Sequence, residues 1–144
     1  MNKSLTPFWI ILAAFAAVVA ISLFNRRANG DGKERIPWRS DFKAASAEAQ
    51  STNKPLFLYF TATWCGPCQS LKGTTWADPD VESALSKYVP VKIDIDEHPD
   101  LAKQYPSDGI PHFVIAKQDG TKIRETVGAY PPKEFIDWLE GKTG

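Results

Sequence analysis

The sequence predicts an α/β fold in which a mixed central sheet is flanked by helices and preceded by one N-terminal transmembrane helix. Strand-length apolar runs alternate with helix-compatible segments over residues 38–144, the order expected of a sheet covered on both faces. The last two runs are joined by Gln118-Asp119-Gly120, which indicates an antiparallel hairpin. Residues 8–24 are nearly all apolar and carry no charge, which favours a membrane-spanning helix.

The apolar segment 8–24 follows a short flank, residues 1–7. Together with part of this flank it reaches the roughly 20 residues that cross a bilayer core as a helix. We favour an uncleaved signal anchor over a cleavable signal peptide, because the best small-x-small site, Val18-Val19-Ala20, lies inside the apolar run. A buried helix of the following domain is a third interpretation, although the segment has no polar residue other than Ser22 to form an outer face. Residues 25–37 are polar, charged and glycine-bearing, which predicts a linker.

The domain at residues 38–144 begins with a helix over residues 40–52, which Ser40 or Asp41 can cap and whose apolar face carries Phe42, Ala45 and Ala49. Residues 55–61 are apolar throughout, as in a strand that is buried on both faces. A helix over residues 65–72 follows directly, and Gly73 interrupts it.

The second half of the domain starts at Asp78-Pro79, a cap and first helical residue for a helix to about residue 88. Residues 89–95 alternate apolar and polar side chains and form a strand. We then expect a short helix over 99–105, hairpin strands over 113–117 and 122–127, and a last helix over 132–140 with Phe135, Ile136 and Leu139 facing the sheet.

The charge balance gives no support for a nucleic-acid partner, and we expect none. Lys plus Arg and Asp plus Glu number 17 each, so the net charge gives no indication of nucleic-acid binding. The chain has no nucleotide or flavin fingerprint such as G-x-G-x-x-G, and we expect no cofactor and no metal.

The two cysteines of the chain lie in Trp64-Cys65-Gly66-Pro67-Cys68, between a predicted strand and a predicted helix. At this spacing two thiols can interconvert with a disulfide, and the helix N-terminus lowers the pKa of the first thiol. A structural disulfide is disfavoured because so short a loop restricts the unfolded chain little. A zinc site needs four ligands, to which the chain adds only His98 and His112. We predict a redox-active pair, with an inert pair and a metal site as alternatives.

Beyond these cysteines, several segments resemble the thioredoxin family in order and spacing. They are residues 60–68, residues 91–96, Gly109-Ile110-Pro111, Asp119-Gly120 and Val127-Gly128-Ala129. The resemblance implies the thioredoxin fold for residues 38–144. Lys54-Pro55 and residues 76–81 resemble bacterial extracytoplasmic thiol:disulfide interchange domains, including the C-terminal domains of membrane thiol-reductant conductors, more than small cytosolic thioredoxins.

The cysteines are expected to have different roles. Cys65, exposed at the helix tip, is the nucleophile, and Cys68, one turn further in, resolves the mixed disulfide. Gly66 and Pro67 set the turn and leave few side chains in the way, and in the family this pair goes with a reducing potential. Trp64 forms a flat apolar wall beside the thiol.

The resemblance also implies a substrate platform. It consists of Ile110 and Pro111, joined by a cis peptide bond, with Gly128 nearby. His112 follows the proline, where the family more often has threonine. We expect His112 to be a partly buried polar residue, with tuning of the thiol as the alternative.

One residue departs from the family pattern. The buried aspartate six residues before the first cysteine is replaced by Tyr59, a poorer base with an ordinary pKa near 10. Lys92 matches the lysine that partners that acid. Our hypothesis is that Lys92 or water handles the proton of the resolving thiol; alternatively, Lys92 only extends to solvent.

These features predict a thiol–disulfide oxidoreductase that reduces protein disulfides and receives electrons from an upstream thiol donor, for which a membrane reductant conductor is one candidate. A disulfide oxidase or isomerase is one alternative, although such relatives usually carry a histidine between the cysteines. A non-catalytic binding adapter is another.

The predicted location is a membrane anchor with the domain on the extracytoplasmic side of a bacterial membrane, as the resemblance implies. Arg26 and Arg27 after the apolar segment outweigh Lys3 before it, and the positive-inside rule alone would place the domain in the cytoplasm. Secretion after signal cleavage is a third possibility.

Overall fold

The computed structural model describes residues 6–28 and 32–142, with side chains described from residue 10 to 21 and from 32 to 142. Residues 1–5 of the predicted flank and 29–31 of the predicted linker therefore lie outside the description. The first helix, α1, is Thr6–Ala28. Within the described part of the chain, no helix has the length and hydropathy needed to cross a bilayer. The predicted transmembrane segment over residues 8–24 is not confirmed and stays a prediction.

The remaining elements confirm the predicted α/β order. They are α2 Phe42–Thr52, β1 Leu56–Thr61, α3 Gly66–Gly73, a 3₁₀ turn Thr75–Ala77, α4 Pro79–Leu85, β2 Val89–Asp94, α5 Pro99–Gln104, β3 His112–Ala116, β4 Lys122–Val127 and α6 Pro132–Leu139. The predicted cap Asp41 accepts a hydrogen bond from the Ala44 N–H, and Asp78 caps α4 in the same way.

The sheet has the strand order β2-β1-β3-β4, in which β1 is parallel to β2 and antiparallel to β3, and β3 is antiparallel to β4. Every residue of β1 is buried, as its continuous apolar sequence predicts. Alternate side chains point to two cores. One core, with Phe57 and Tyr59, is covered by α3, α4 and α6, and the other, with Leu58 and Phe60, is covered by α2 and α5.

Two helix predictions need correction. The α4 helix ends at Leu85 rather than near residue 88, because the Tyr88 N–H bonds to the Leu85 carbonyl in a turn that leads into β2. On α6 the third buried side chain is Trp138, whereas Ile136 is only half-buried. The indole ring packs on Phe113 and Phe135, and it offers more apolar surface to the core than isoleucine.

Residues 34–37, which composition assigned to the linker, pack against the domain. Ile36 is buried in the first core, and the Arg35 N–H donates to the Trp76 carbonyl at 2.8 Å. The contact with the domain continues at Arg39, whose N–H donates to the Pro90 carbonyl at 2.8 Å. Ile36, a single apolar residue between Arg35 and Pro37, was too weak a signal to predict this contact.

Candidate active site

The two cysteines form a disulfide at the junction of β1 and α3, with an S–S distance of 2.13 Å and a Cα–Cα distance of 5.3 Å. Cys65 is the N-cap of α3, and its Sγ accepts a hydrogen bond from the Cys68 N–H at 3.3 Å. Pro67 in the first turn of α3 has no N–H to offer, so the Cys68 amide is the donor that meets this sulfur. A thiolate on Cys65 would be stabilised by the same amide and by the helix end.

The burial of the pair differs from the prediction for one residue. Cys68 is 0% exposed, as expected for the resolving cysteine, but Cys65 is only 4% exposed rather than open at the helix tip. The loop before β3 covers it, with the Ile110 carbonyl oxygen 3.8 Å from the Cys65 Sγ. A substrate must therefore approach the sulfur along the groove that Cys65 lines.

That groove has a volume of about 680 Å³ and runs between the cysteine turn, the α5 end and the loop before β3. Its walls are mostly apolar and include Phe60, Ile95, Tyr105, Pro106 and Ile110, together with Trp64, Gly66 and Pro67 of the motif. The predicted site residues Trp64 and Ile110 are thus brought together with Cys65, the predicted nucleophile. A groove of this kind can hold the apolar side chains that flank a disulfide in a protein substrate.

Trp64 stands at the mouth of the groove with 66% of its surface exposed. Its indole Nε1 donates a hydrogen bond to Asp96 Oδ2 at 2.8 Å, which holds the ring in place although little packs around it. The neighbouring Gly66 has no atom within 4 Å of where a Cβ would lie. The surface above the cysteine turn is therefore open to a partner on the side of Gly66.

The other predicted substrate residues lie on the adjoining loops. The Ile110–Pro111 peptide bond is cis. The Gly128 N–H donates to the Pro111 carbonyl at 2.9 Å, and Gly128 has φ of 127°, a conformation that favours glycine. Pro111 and Gly128 lie beside the groove rather than in its wall.

Behind Cys68 lies Tyr59, which is fully buried. The Tyr59 hydroxyl donates a hydrogen bond to the Cys68 carbonyl at 3.3 Å. Burial raises the pKa of Tyr59 further above its usual value near 10, so its hydroxyl does not act as a base at neutral pH.

Lys92 lies beside Tyr59 in the parallel register of β1 and β2, with its Nζ 6.0 Å from the centre of the tyrosine ring. The same Nζ is 3.3 Å from Glu34 Oε1, which also accepts a hydrogen bond from Trp38 Nε1 at 2.6 Å. The sequence did not identify Glu34 as a site residue, because residues 25–37 have the composition of a charged linker. The signal that could have found it is the pair Ile36 and Trp38, apolar residues at alternate positions just after it.

His112 is more buried than predicted, at 1% exposure, and it stacks on Phe60 with ring centres 5.2 Å apart. One ring nitrogen, Nε2, is 3.0 Å from Glu125 Oε2. Burial lowers the pKa of His112, although Glu125 acts in the opposite direction. His98, in contrast, is exposed at the start of α5. In the described part of the chain, no cluster of three or more His, Cys, Asp or Glu side chains could hold a metal ion.

Comparison with known proteins gives a family match. The sequence model of the thioredoxin-like domain matches residues 42–142. Thioredoxin-2 of Pyricularia oryzae is 41% identical over 95 residues, which cover 65% of this chain and 50% of that protein. Thioredoxin H7 of Arabidopsis thaliana is 35% identical over 111 residues, covering 75% and 77%. The chain spans only about half to three fifths of several curated relatives that it matches.

Two solved structures are similar to this chain over its α/β domain. The oxidised C-terminal domain of Neisseria meningitidis DsbD has a TM-score of 0.62 and 26% identity, and the match covers 74% of this chain and 99% of that one. A thioredoxin from Thermus thermophilus has a TM-score of 0.66 and 26% identity, with 74% and 86% covered.

Proposed function

We propose that this chain, which belongs to the thioredoxin-like family, catalyses thiol–disulfide exchange and works in the reducing direction on protein disulfides. The observation that carries the proposal is the Cys65–Cys68 disulfide at the start of α3, with the Cys68 amide on the first sulfur and an apolar groove beside it. Redox-active pairs of this kind need one sulfur that can become a thiolate and a second sulfur within reach of it.

The reduced pair performs the reaction in two exchanges. The Cys65 thiolate attacks one sulfur of the substrate disulfide, which forms a mixed disulfide and releases the other substrate sulfur as a thiolate. Cys68 then loses its proton and attacks the Cys65 Sγ, so that the Cys65–Cys68 bond forms and the second substrate sulfur leaves with its electron pair. The substrate takes up two electrons and two protons, and the cysteine pair is left oxidised.

The substrate class follows from the groove. Its apolar walls and its volume of about 680 Å³ suit a protein segment that carries a disulfide beside apolar residues better than a small charged disulfide. To complete the cycle, the oxidised pair has to receive electrons from another thiol system, for which a membrane reductant conductor is one candidate.

The direction of electron flow is tested by equilibrating the pair with glutathione or dithiothreitol. A reduction potential near about −270 mV supports a reductase, and one near about −120 mV overturns that direction and makes the protein a disulfide donor. For an isomerase we expect an intermediate reduction potential of about −180 mV. Lack of any exchange with protein disulfides would instead support a binding adapter.

We further propose that α1 tethers the domain to a membrane and that the domain lies on the extracytoplasmic side. The proposal is supported by the uncharged run at residues 8–24 and by the exposure of its large apolar side chains, among them Ile10, Phe15 and Val18. The flanking Arg26 and Arg27 argue for the opposite side.

Two measurements on the full chain, expressed in a bacterium, test this tether. Alkaline carbonate extraction should leave the protein in the membrane pellet, whereas release into the supernatant would contradict an anchor. An alkaline phosphatase fusion at the C-terminus should be active if the domain is exported and inactive if it faces the cytoplasm. A mature chain shortened beyond residue 20 would indicate signal cleavage instead.

A further inference from the structure

A pair of opposite charges lies behind the resolving cysteine. Lys92 Nζ and Glu34 Oε1 are 3.3 Å apart, and their side chains are 28% and 27% exposed, so that both are partly shielded from water. Neither residue lines the groove, and neither does Tyr59, which stands between this pair and Cys68. The ion pair therefore lies outside the groove and is connected to Cys68 through Tyr59.

The position of the Glu34 carboxylate is defined by rigid neighbours. Its Oε1 accepts a hydrogen bond from Trp38 Nε1 at 2.6 Å, and the Trp38 ring packs on Tyr59 with ring centres 5.3 Å apart. Trp38 also contacts Trp76 edge-on at 5.2 Å. Burial is the main reason for the raised pKa of Tyr59, and the charge of Glu34 acts in the same direction. The Tyr59 hydroxyl donates to the Cys68 carbonyl at 3.3 Å, so contacts lead from Glu34 through Trp38 and Tyr59 to Cys68.

We propose that Glu34 is a positioning residue that makes the Cys65–Cys68 couple more reducing, by placing a negative charge behind Tyr59 that disfavours thiolates at the cysteine pair. A nearby negative charge destabilises a thiolate but has no such effect on the neutral disulfide. It therefore favours the oxidised form and strengthens the tendency of the dithiol to pass its two electrons to a substrate. Lys92 acts in the opposite direction. The inference rests on the proposed function and deepens it, because it concerns the potential of the same site.

This electrostatic effect has a pH signature. Where both thiols are protonated, the reduced pair is neutral and a neighbouring charge changes its free energy little. The effect of Glu34 on the exchange equilibrium must therefore grow as pH rises through the thiol pKa values. The other ionisable groups around Lys92 are Arg39, Asp94, Glu97 and His98, which line a shared cavity of about 260 Å³. These groups are unchanged in the variants below, so a difference in the exchange equilibrium between variants reports the effect of Glu34 or of Lys92.

The test measures the exchange equilibrium of the full-length chain with glutathione at pH 6, 7.5 and 9. Glu34→Gln keeps an acceptor for Trp38 Nε1 but removes the charge, and we expect it to shift the equilibrium toward the dithiol by about threefold at pH 9, as for half a pKa unit. The shift should be small at pH 6. Lys92→Met should shift the equilibrium in the opposite direction, and Glu34→Asp should restore most of the wild-type value.

The matched control is Asp137→Asn, since Asp137 also pairs with a basic side chain, Lys133 at 2.6 Å, but on α6 and outside the cavity that Lys92 lines. It should leave the equilibrium unchanged. Shifts of the same sign in Glu34→Gln and Lys92→Met, or shifts independent of pH, would indicate altered packing and overturn the inference. A wild-type couple that is strongly oxidising would overturn the proposed direction alone, because the opposite signs of the two variants would still be measurable.

Discussion

The two sulfur atoms of the disulfide face very different surroundings. Cys65 lines an open groove beside Trp64 and Ile110, whereas Cys68 is buried among aromatic rings, with Tyr59 bonded to its carbonyl. Although Cys65 is only 4% exposed, the groove leads to its sulfur, as the proposed attack on a substrate disulfide requires. The Cys68 side offers a fixed position and a controlled charge environment, which the resolving thiol needs. One turn of α3 thus separates the sulfur that lines the groove from the sulfur that is fully enclosed by the core.

The largest effect should come from the cysteines themselves. Cys65→Ser should abolish disulfide reduction, because no nucleophile remains on the groove side. Cys68→Ser should still form the mixed disulfide but be unable to resolve it, so the adduct with a protein substrate accumulates on a non-reducing gel. If the adduct accumulated in Cys65→Ser instead, the two roles would be reversed.

A large loss of stability is expected on the packed side. Phe113→Ala removes a fully buried ring that contacts Phe57, Tyr59 and Trp76, and it should lower the free energy of unfolding by about 3–5 kcal/mol in urea titration. Ile123→Ala on β4 is the control, since Ile123 is exposed, and it should cost no more than about 0.5 kcal/mol. If Phe113→Ala lowered the free energy of unfolding as little as Ile123→Ala, this aromatic layer would not be what stabilises the fold.

On the groove side, a substitution should affect catalysis rather than stability. Trp64→Ala should change the free energy of unfolding by no more than about 0.5 kcal/mol, because the ring is mostly exposed. It should lower kcat/KM for a protein disulfide by about tenfold, which corresponds to about 1.4 kcal/mol of lost contact. Reduction of oxidised glutathione should change less, and an equal loss for both substrates would argue against a contact with the protein substrate.

The smallest effect is expected at the groove wall, where burial lowers the pKa of His112 below its unfolded value near 6.5. The unfolded chain then binds the proton more readily, so the stability contributed by neutral His112 is present above that value and is lost as pH falls toward the folded pKa. Urea titrations at pH 7.5 and 5 should show a smaller loss for His112→Asn than for the wild type. Parallel losses would show that other groups, such as Glu125, carry the pH dependence.

The prediction of a thioredoxin-like domain is confirmed by the family match over residues 42–142, and the predicted cysteine pair forms a disulfide between Cys65 and Cys68. Local sequence was sufficient for these points because each depends on neighbouring residues. The apolar run of β1, the cap at Asp78 and the spacing of the cysteines are all readable within one element.

The surroundings of the cysteines could not be read in this way, because they join residues far apart in the chain. Glu34 meets Lys92 although the two lie 58 residues apart in the chain, and Ile110 covers Cys65 from the loop before β3. Burial of a side chain and the charge that it experiences are sums over all packed neighbours, and periodicity along one segment contains no information about them. The sequence therefore specified the reacting sulfurs and their elements, while packing between elements determined how far Cys65 is covered and which carboxylate lies behind Tyr59.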